Sequence, residues 1–477
     1  MSSPLLTIAQ DEWRYWQRSK VMLTVMCIAI LLTAASVIVT YVNMKLETEH
    51  RQHLQAESEQ TFVDQPDRHP HRMVHYGHYL FRAPPPLGRL DPGIDSYTGS
   101  AIFLEGHKQN TATFAKQQQS SGLNLLGAFS PAFVIQVLAP LLLIVMGFAV
   151  MTREREAGTF EFLTVQGTTP LMLIAGKSLA LGTAGLLVLS PLIIGAVVSV
   201  LSGASFMTAA LFIASYVIYL AIWCALVLLA STLSASNSAS FSCLIVAWIV
   251  LCLILPRIAS NTASLAVVSP GKLETDFAVL DKLRELGDGH NSSDPAFKAL
   301  QDNLLAKYQV TSVDQLPVNF KGMVAQQSET QLTQVLNQFA AQQMAKDQQQ
   351  AEVTRLFGWL SPLIAIQTTS MKLAGTDLEN YQRFLREAES VRFNFVQSLN
   401  KMHAEAVSYA DDANKYQSHE NLQKAKVSAN NWQILNDFHF TPLPAAQRVI
   451  SSLHGLAQLV AMFILALGLT YWAGRRV

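Results

Sequence analysis

The sequence predicts a mostly α-helical, polytopic membrane protein with six transmembrane helices. Half of the 477 residues are hydrophobic and 14% are charged, whereas a soluble protein usually carries about a quarter of charged residues. The apolar residues form blocks of about 20, which is the length that a helix needs to cross roughly 30 Å of hydrocarbon. The predicted spans, TM1 to TM6, cover residues 21–42, 132–151, 171–201, 209–229, 239–255 and 449–472.

Basic residues near the spans predict the orientation, because cytoplasmic loops are enriched in Lys and Arg. They precede TM1, separate TM2 from TM3, and follow TM6: Arg14, Arg18, Lys20, Arg153, Arg155, Lys177, Arg475 and Arg476. Both termini are therefore predicted to face the cytoplasm, and TM1 is predicted to be an uncleaved anchor. The net charge is zero, which gives no basis for a nucleic-acid partner.

This orientation leaves two long outer regions, residues 43–130 and 258–447. The first is predicted to be a small mixed domain, since Pro and Gly punctuate short extended segments. The second is predicted to be helical, with two long helices that each carry one apolar stripe and pack antiparallel. Between those helices, residues 356–373 are apolar but too short to span, and we expect a re-entrant or interfacial element.

Five histidines of the first outer region raise the question of a metal site. They are His69, His71, His75, His78 and His107. Imidazole is the commonest metal ligand, and we single out His75, His78 and His107 as candidate ligands. No cysteine accompanies them and no standard zinc spacing is met. Structural histidines in a compact outer fold are therefore the favoured interpretation.

Motifs for catalysis are incomplete. Residues 176–178 read Gly-Lys-Ser like the end of a phosphate loop, but Leu171 stands where the loop needs glycine. His419 begins a pattern similar to a zinc-protease helix, but Gln423 replaces its second histidine. Lys177 is interpreted as a lysine that snorkels to the membrane surface. Since the spans hold essentially no other charge, an ion-driven carrier is disfavoured. The chain is thus predicted to be no enzyme, to bind no cofactor, and to depend on a separate ATPase.

Two segments beside the spans are candidates for contact with that ATPase. Residues 152–170 follow TM2 and combine alternating charges, a Gly-Thr step and a short apolar patch that includes Phe162. A helix of this kind can lie along the membrane surface and press its patch into a partner groove. The candidate coupling residues are Arg153, Glu154, Arg155, Glu156, Gly158, Thr159, Phe160 and Leu163. The alternative is a plain charged loop.

The second segment, residues 1–20, is predicted to be an amphipathic helix on the cytoplasmic surface. Its candidate interface residues are Glu12, Trp13, Arg14, Trp16 and Arg18. The two tryptophans suit the headgroup level of a membrane. The alternative is a basic flank that only sets the orientation of TM1.

The chain resembles the permease subunits of ABC-2-type transporters. The matching residues are Arg153, Glu154, Gly158, Thr159, Leu163 and Pro170, followed by the Gly-Lys pair at 176–177. The N-terminal helix and the six spans with both ends inside are similar as well. Within that family, the string from His75 to Asn110 resembles an uncharacterised branch with an enlarged outer part, often described only as a domain of unknown function. NosY-type permeases are broader relatives.

The resemblance implies a bacterial inner-membrane protein whose segment 152–170 contacts an ABC ATPase subunit. ATP and Mg would be bound by that partner, and a second permease subunit, identical or paralogous, would complete the complex. ABC-2-type relatives mostly export their substrates, and we expect export here. Two alternatives are a mechanotransmitting subunit that acts on an envelope partner and a metal-handling membrane protein.

Overall fold

The computed structural model describes residues 4–114, 129–435 and 438–477. Six helices of this part are long and apolar enough to cross a membrane, which confirms the predicted fold class. They are TM1 (Lys20–Val63), TM2 (Pro131–Glu156), TM3 (Pro170–Leu201), TM4 (Phe206–Leu233), TM5 (Asn237–Ala266) and TM6 (Ala445–Arg476).

The other α-helices and the strands of the described residues lie before and between these spans, and several short 3-10 turns connect them. The helices are α1 (Pro4–Arg18), α2 (Pro70–Val74), α3 (Thr159–Val165), α4 (Lys272–Arg284), α5 (Lys298–Tyr308), α6 (Phe320–Leu356), α7 (Pro362–Ala374), α8 (Leu378–Ala406), α9 (Tyr409–Asn414) and α10 (His419–Lys424). Two strands, β1 (His78–Phe81) and β2 (Ala101–Leu104), form an antiparallel pair with His78 opposite Leu104.

Two spans extend far beyond their predicted ends, whereas the other spans end within a few residues of them. TM1 continues past residue 42 to Val63, so that its 44 residues reach about 66 Å. TM5 continues past Pro256 to Ala266. A proline inside a helix lacks an N–H and crowds the preceding turn. A wider π-helical turn at Val250–Ile254 directly precedes Pro256, and such a turn accommodates the ring without ending the helix.

TM4 lies at the centre of the bundle, in contact with TM3, TM6 and α7. Its residues Phe212, Tyr216, Tyr219 and Trp223 are fully buried. Both α1 and the end of TM6 pack on the beginning of TM3: a Cβ on Gly176 would lie 2.6 Å from Ile8, and one on Gly474 would lie 2.6 Å from Ile174. We call this end of the bundle, where α1 and the last turn of TM6 meet, the inner end.

At the opposite end, the described residues of 64–114, 267–356 and 375–444 fold together, and we call them the outer domain. Leu80 and Ile102 of the β-pair share a core with Phe384 of α8. Arg68 and Val427 form an isolated β-bridge between the two regions. The two outer regions, which are far apart in sequence, therefore make one domain.

The long helices α6 and α8 lie antiparallel in this domain. Gln397 Nε2 donates to Thr330 Oγ1 at 2.9 Å near one end, and Gln348 Nε2 donates to Gln382 Oε1 at 2.7 Å near the other. The predicted pair of long antiparallel helices is therefore what the structure contains. Gly375 ends α7 with φ +77, as expected of a helix-terminating glycine.

Helix α7 lies among the spans rather than in the outer domain, and it belongs to the segment 356–373 that was predicted to be re-entrant. Ser361 Oγ donates to the main-chain oxygen of Leu251 in TM5 at 2.7 Å. Ser370 Oγ lies 2.9 Å from Tyr216 Oη in TM4. Tyr216 is ten residues from the start of TM4, which places this contact about 15 Å along the span at 1.5 Å per residue.

Candidate coupling site

A buried carboxylate at the inner end joins three elements. Ala9, Glu12 and Trp16 form the buried face of α1, because residues at these spacings share one side of a helix. Glu12 accepts hydrogen bonds from both terminal nitrogens of Arg153, at 3.2 and 2.8 Å, and from Lys177 Nζ at 3.3 Å. Since Glu12 is 2% exposed and Lys177 is 3% exposed, these charges are satisfied by one another rather than by water.

Glu154 is the second carboxylate of this group. It accepts from Lys177 Nζ at 2.9 Å, from Arg153 at 3.4 Å and from Thr159 Oγ1 at 2.6 Å. Lys177 also donates to the main-chain oxygen of Val150. The interpretation of Lys177 as a snorkelling lysine is therefore wrong. Two carboxylates and two cations balance each other, which makes the burial of Glu12 and Lys177 and the partial burial of Arg153 and Glu154 tolerable.

The next two charged residues of TM2 contact other helices. Arg155 Nη1 donates to the main-chain oxygen of Ser234, just after TM4, at 2.9 Å. Glu156 accepts from the main-chain N–H of Asn237, at the start of TM5, at 2.8 Å. Four consecutive side chains, residues 153–156, thus contact α1, TM3, the end of TM4 and the start of TM5 in turn.

Gly158 turns the chain from TM2 into α3. Its φ of +69 lies in the left-handed region, which glycine adopts without steric cost. Along α3, Phe160 and Leu163 pack against the core of the bundle. Phe162 and Val165 point away from it and are 73% and 87% exposed. The structure therefore divides the predicted apolar patch, and Val165, which sequence reasoning missed, joins Phe162 on the outward face at the helical spacing i, i+3.

The other candidate residues of α1 take two different positions. Trp13 Nε1 donates to Thr183 Oγ1 of TM3 at 3.1 Å, and Trp16 is buried beside it, with ring centroids 5.2 Å apart. Arg14 and Arg18 are exposed. Trp16 is thus part of the protein core rather than a headgroup anchor.

The predicted histidines separate into two places in the outer domain. His75 and His107 lie together with His71, and ligand nitrogens of the three rings are within 4.8 Å of one another. His78 lies elsewhere, with its ring centroid 5.0 Å from that of Phe395. His290 of the second outer region, which the sequence did not point to, lies 4.8 Å from His107 by ring centroids. The four-residue spacing of His71 and His75 was a usable signal, since such residues share a helix face.

One comparison with known proteins bears on the outer domain. Residues 273–441 match the family model described as a domain of unknown function, DUF3526. The matched segment contains α4 to α10, including α7 between the spans. No curated protein matches the chain. The chain is thus a multi-pass membrane protein that carries a DUF3526 domain.

Proposed function

We propose that this chain is the membrane subunit of an ABC-2-type transporter of the bacterial inner membrane, driven by a separate ATPase subunit and paired with a second permease subunit. In this proposal the chain binds no nucleotide, and the ATPase supplies ATP and Mg. The observation that carries the proposal is the row of residues 153–156, in which each side chain contacts a different helix directly before the exposed helix α3.

The ATPase would bind the outward face of α3. Phe162 and Val165 present an apolar pair to solvent at the inner end, and a short helix with such a face fits a groove on a partner. Burying a side chain of this size contributes about 1.5–3 kcal/mol. Closure of the ATPase on ATP would displace α3, and residues 153–156 would pass that displacement to α1, TM3, TM4 and TM5. Nucleotide would thereby favour one of two arrangements of the spans. The proposed direction, export of a substrate, rests on the resemblance to ABC-2-type permeases alone.

Co-expression of this chain with an ATPase whose gene neighbours its own tests the proposal. We expect the two proteins to purify as a complex that hydrolyses ATP, whereas the purified chain alone hydrolyses none. Phe162→Glu places a charge in the contact and should reduce complex formation at least tenfold. Tyr416→Glu is the matched control, because Tyr416 is an aromatic residue of the outer domain with 85% exposure.

Two results would overturn the proposal. One is ATP hydrolysis in the purified chain that remains after any co-purifying ATPase has been inactivated by mutation. The other is a complex in which Phe162→Glu and Tyr416→Glu bind the ATPase equally well and keep the same turnover. The thermal unfolding of both variants must equal that of the wild type, so that loss of binding is not loss of fold.

A second candidate function is mechanotransmission, in which nothing crosses and the outer domain acts on an envelope partner. It is favoured by TM1, a single helix that begins at Lys20, close to α1, and ends at Val63. Phe62, the residue before Val63, is buried in the core of the outer domain. The same core contains Phe395 of α8 and Trp432 of the later chain. Movement of TM1 at the inner end would therefore be delivered directly to the outer domain.

Spin-label distances distinguish the two candidates. Labels on Tyr416→Cys and Leu201→Cys, with the exposed Cys27 and Cys243 replaced by serine, report movement of the outer domain against the outer end of TM3. Mechanotransmission predicts a change in distance with ATP that Glu49→Pro abolishes, because proline breaks the outer part of the TM1 helix. A distance that ATP does not change would exclude this candidate.

A further inference from the structure

A pair of histidines on α2 has the spacing of two metal ligands. His71 is in α2 and His75 is its C-terminal cap, one helical turn later. Their Nε2 atoms lie 3.4 Å apart. Two nitrogens bound to one tetrahedral ion at 2.0–2.1 Å are about 3.3–3.4 Å apart. The distance between the two nitrogens therefore matches that of two ligands of one ion.

The third ring, His107, is oriented by a buried carboxylate. The main-chain N–H of His107 donates to Glu329 Oε2 at 3.2 Å, and its Nδ1 lies 3.1 Å from the same oxygen. An ionised carboxylate can only accept, so Nδ1 carries the proton and Nε2 keeps its lone pair. This Nε2 is buried, and among the described residues it has no hydrogen-bond partner. A histidine that donates one nitrogen to a carboxylate and presents the other to an ion is the usual arrangement at metal sites.

The backbone of His107 also indicates a specific requirement at this position. Its φ is +65, a left-handed conformation that costs a residue with a side chain roughly 1–2 kcal/mol. Such strain persists only where surrounding contacts hold it, and it concentrates at functional sites. Here the two contacts with Glu329 hold the residue.

Glu329 is itself fixed by Arg392. Arg392 Nη1 donates to Glu329 Oε1 at 2.6 Å, and Arg392 Nη2 donates to Thr333 Oγ1 at 2.8 Å. The ion pair with Arg392 favours the ionised form of Glu329, as the orientation of His107 requires.

The fourth ring, His290, comes from the second outer region. Its centroid lies 4.8 Å from that of His107 and 5.1 Å from that of His71. Gly289 places it there, because a Cβ on Gly289 would lie 2.1 Å from Ser328 Oγ of α6. All pairs of the four rings have centroids 4.8–6.1 Å apart. The group whose ligand nitrogens all lie within 4.8 Å of one another consists of His71, His75 and His107, so His290 would turn its ring to complete the site. Four imidazoles around a tetrahedral ion would be about 5.2 Å apart.

The adjacent buried group of His69, His403 and Asp412 is a contrasting case. Lys415 Nζ donates to Asp412 Oδ1 at 2.6 Å, so a cation of the chain already occupies the carboxylate. His69 Nδ1 accepts from the N–H of His71 at 3.2 Å, which leaves its proton on Nε2, directed at Asp412. The carboxylate of this group is thus paired with groups of the chain itself, although His403 Nδ1 has no hydrogen-bond partner among the described residues, and His69 caps the beginning of α2.

We propose that His71, His75, His107 and His290 bind one divalent transition-metal ion, of the zinc or copper class that imidazole ligands prefer. Three ligands come from the first outer region and one from the second. The ion would therefore fasten the loop before α5 to α2 and the β2 loop, in a domain that has no cysteine with which to make a disulfide.

Metal titration of the full chain in detergent micelles, after treatment with a chelator, tests this site. Zn²⁺ and Cu²⁺ are added separately, and bound metal is measured by elemental analysis after gel filtration. We expect one ion per chain, a rise in the temperature of unfolding with the ion, and a zinc X-ray absorption spectrum with nitrogen neighbours only, at about 2.0–2.1 Å. The relative affinities identify which of the two ions the site prefers.

Variants separate this site from other histidines. His75→Ala removes an exposed ligand, so without metal its unfolding temperature should equal that of the metal-free wild type. Its affinity for the ion should fall at least tenfold, and the ion should no longer raise its unfolding temperature. Glu329→Gln should reduce affinity by about 10–100-fold while all four imidazoles remain. His419→Ala, at an exposed histidine of α10, is the control and should bind normally.

Two outcomes overturn the proposal. A His75→Ala chain that binds metal with unchanged stoichiometry and affinity shows that the ion is elsewhere. A His290→Ala chain with unchanged affinity and unchanged zinc spectrum removes the second outer region from the site. Neither outcome affects the proposed ATPase contact, which is tested at the inner end.

Discussion

The carboxylate of Glu12 should contribute strongly to stability, because it is the shared counter-charge of two cations. Glu12→Gln keeps the size of the side chain and one acceptor oxygen but removes the charge. It leaves Arg153 and Lys177 with Glu154 as their remaining carboxylate in this cluster. Removing one member of a buried ion pair costs 3–5 kcal/mol. Since Glu154 still pairs with both cations, we expect the lower end, about 3 kcal/mol.

Thermal unfolding of the detergent-solubilised chain, followed by intrinsic tryptophan fluorescence at one fixed scan rate, measures this loss. At about 2.1 cal/mol/K of unfolding entropy per residue, a loss of about 3 kcal/mol should lower the apparent melting temperature of the 477-residue chain by about 3 °C. Glu161→Gln is the matched control, because it makes the same chemical change at an exposed position on α3. The control should remain within 1 °C of the wild type, as about 0.5 kcal/mol is typical of surface changes.

A double variant shows whether the loss comes from the uncompensated charge. Lys177→Met removes one cation with an apolar side chain of similar length, so Glu12→Gln with Lys177→Met restores a balance between Arg153 and Glu154. We expect the double variant to lose less stability than the two single losses added together, by more than about 1 kcal/mol. Equal melting temperatures for Glu12→Gln and Glu161→Gln, or strictly additive losses, would refute the reasoning.

Two glycine substitutions test packing and backbone conformation with the same unfolding assay. Gly455→Ala puts a Cβ 2.4 Å from Thr369 Oγ1 of α7 and should cost about 1–3 kcal/mol by overpacking. Gly468→Ala, further along TM6 with open space around it, should cost nothing, and equal effects at the two sites would contradict the packing of α7 on TM6. Gly158→Ala meets no neighbouring atom, so it should cost only the left-handed backbone penalty, about 1 kcal/mol; a loss above 3 kcal/mol would be inconsistent with that open position.

The six spans could be predicted from sequence because an apolar run of about 20 residues is a local property. The full length of TM1 could not. Residues 43–63 are polar, and their helix is supported by contacts made far away in sequence, such as Arg51 Nη1 to the main-chain oxygen of Arg82 at 2.9 Å and Phe62 against Phe395. Tertiary packing of this kind leaves no periodic apolar signal in the segment itself.

The candidate coupling site is likewise only partly predictable from the sequence. Residues 153–156 stand out in the sequence because charges cluster where an apolar run ends. Their partners could not be identified from the sequence, because Glu12 is 141 positions from Arg153. No local pattern in α1 or TM3 indicates that these residues pair. Lys177 inside an apolar block has the same appearance whether it snorkels or pairs. The position of a second carboxylate decides between the two, and only the fold supplies it.

The histidine group divides at the boundary between the outer regions. His75 and His107 were found because they lie in one short stretch rich in histidine. His290 lies in a different region, and nothing around it in the sequence marks it. The two outer regions share a hydrophobic core that includes Leu80 of the first region and Phe384 of the second. The periodicity of apolar residues within either region does not reveal this contact.

The geometry of TM1 gives both proposals a common physical basis. Ser19 alone separates α1, which carries Glu12, from TM1, and Phe62 at the other end is buried in the outer domain. A tilt of about 5° in a helix about 66 Å long moves its far end by about 6 Å. The proposed metal ion lies in the same domain, on the helix that begins seven residues after Val63. An ion that joins the two outer regions would make the domain move as one body with TM1, so that a small displacement at the inner end reaches the outer surface instead of being absorbed between the regions.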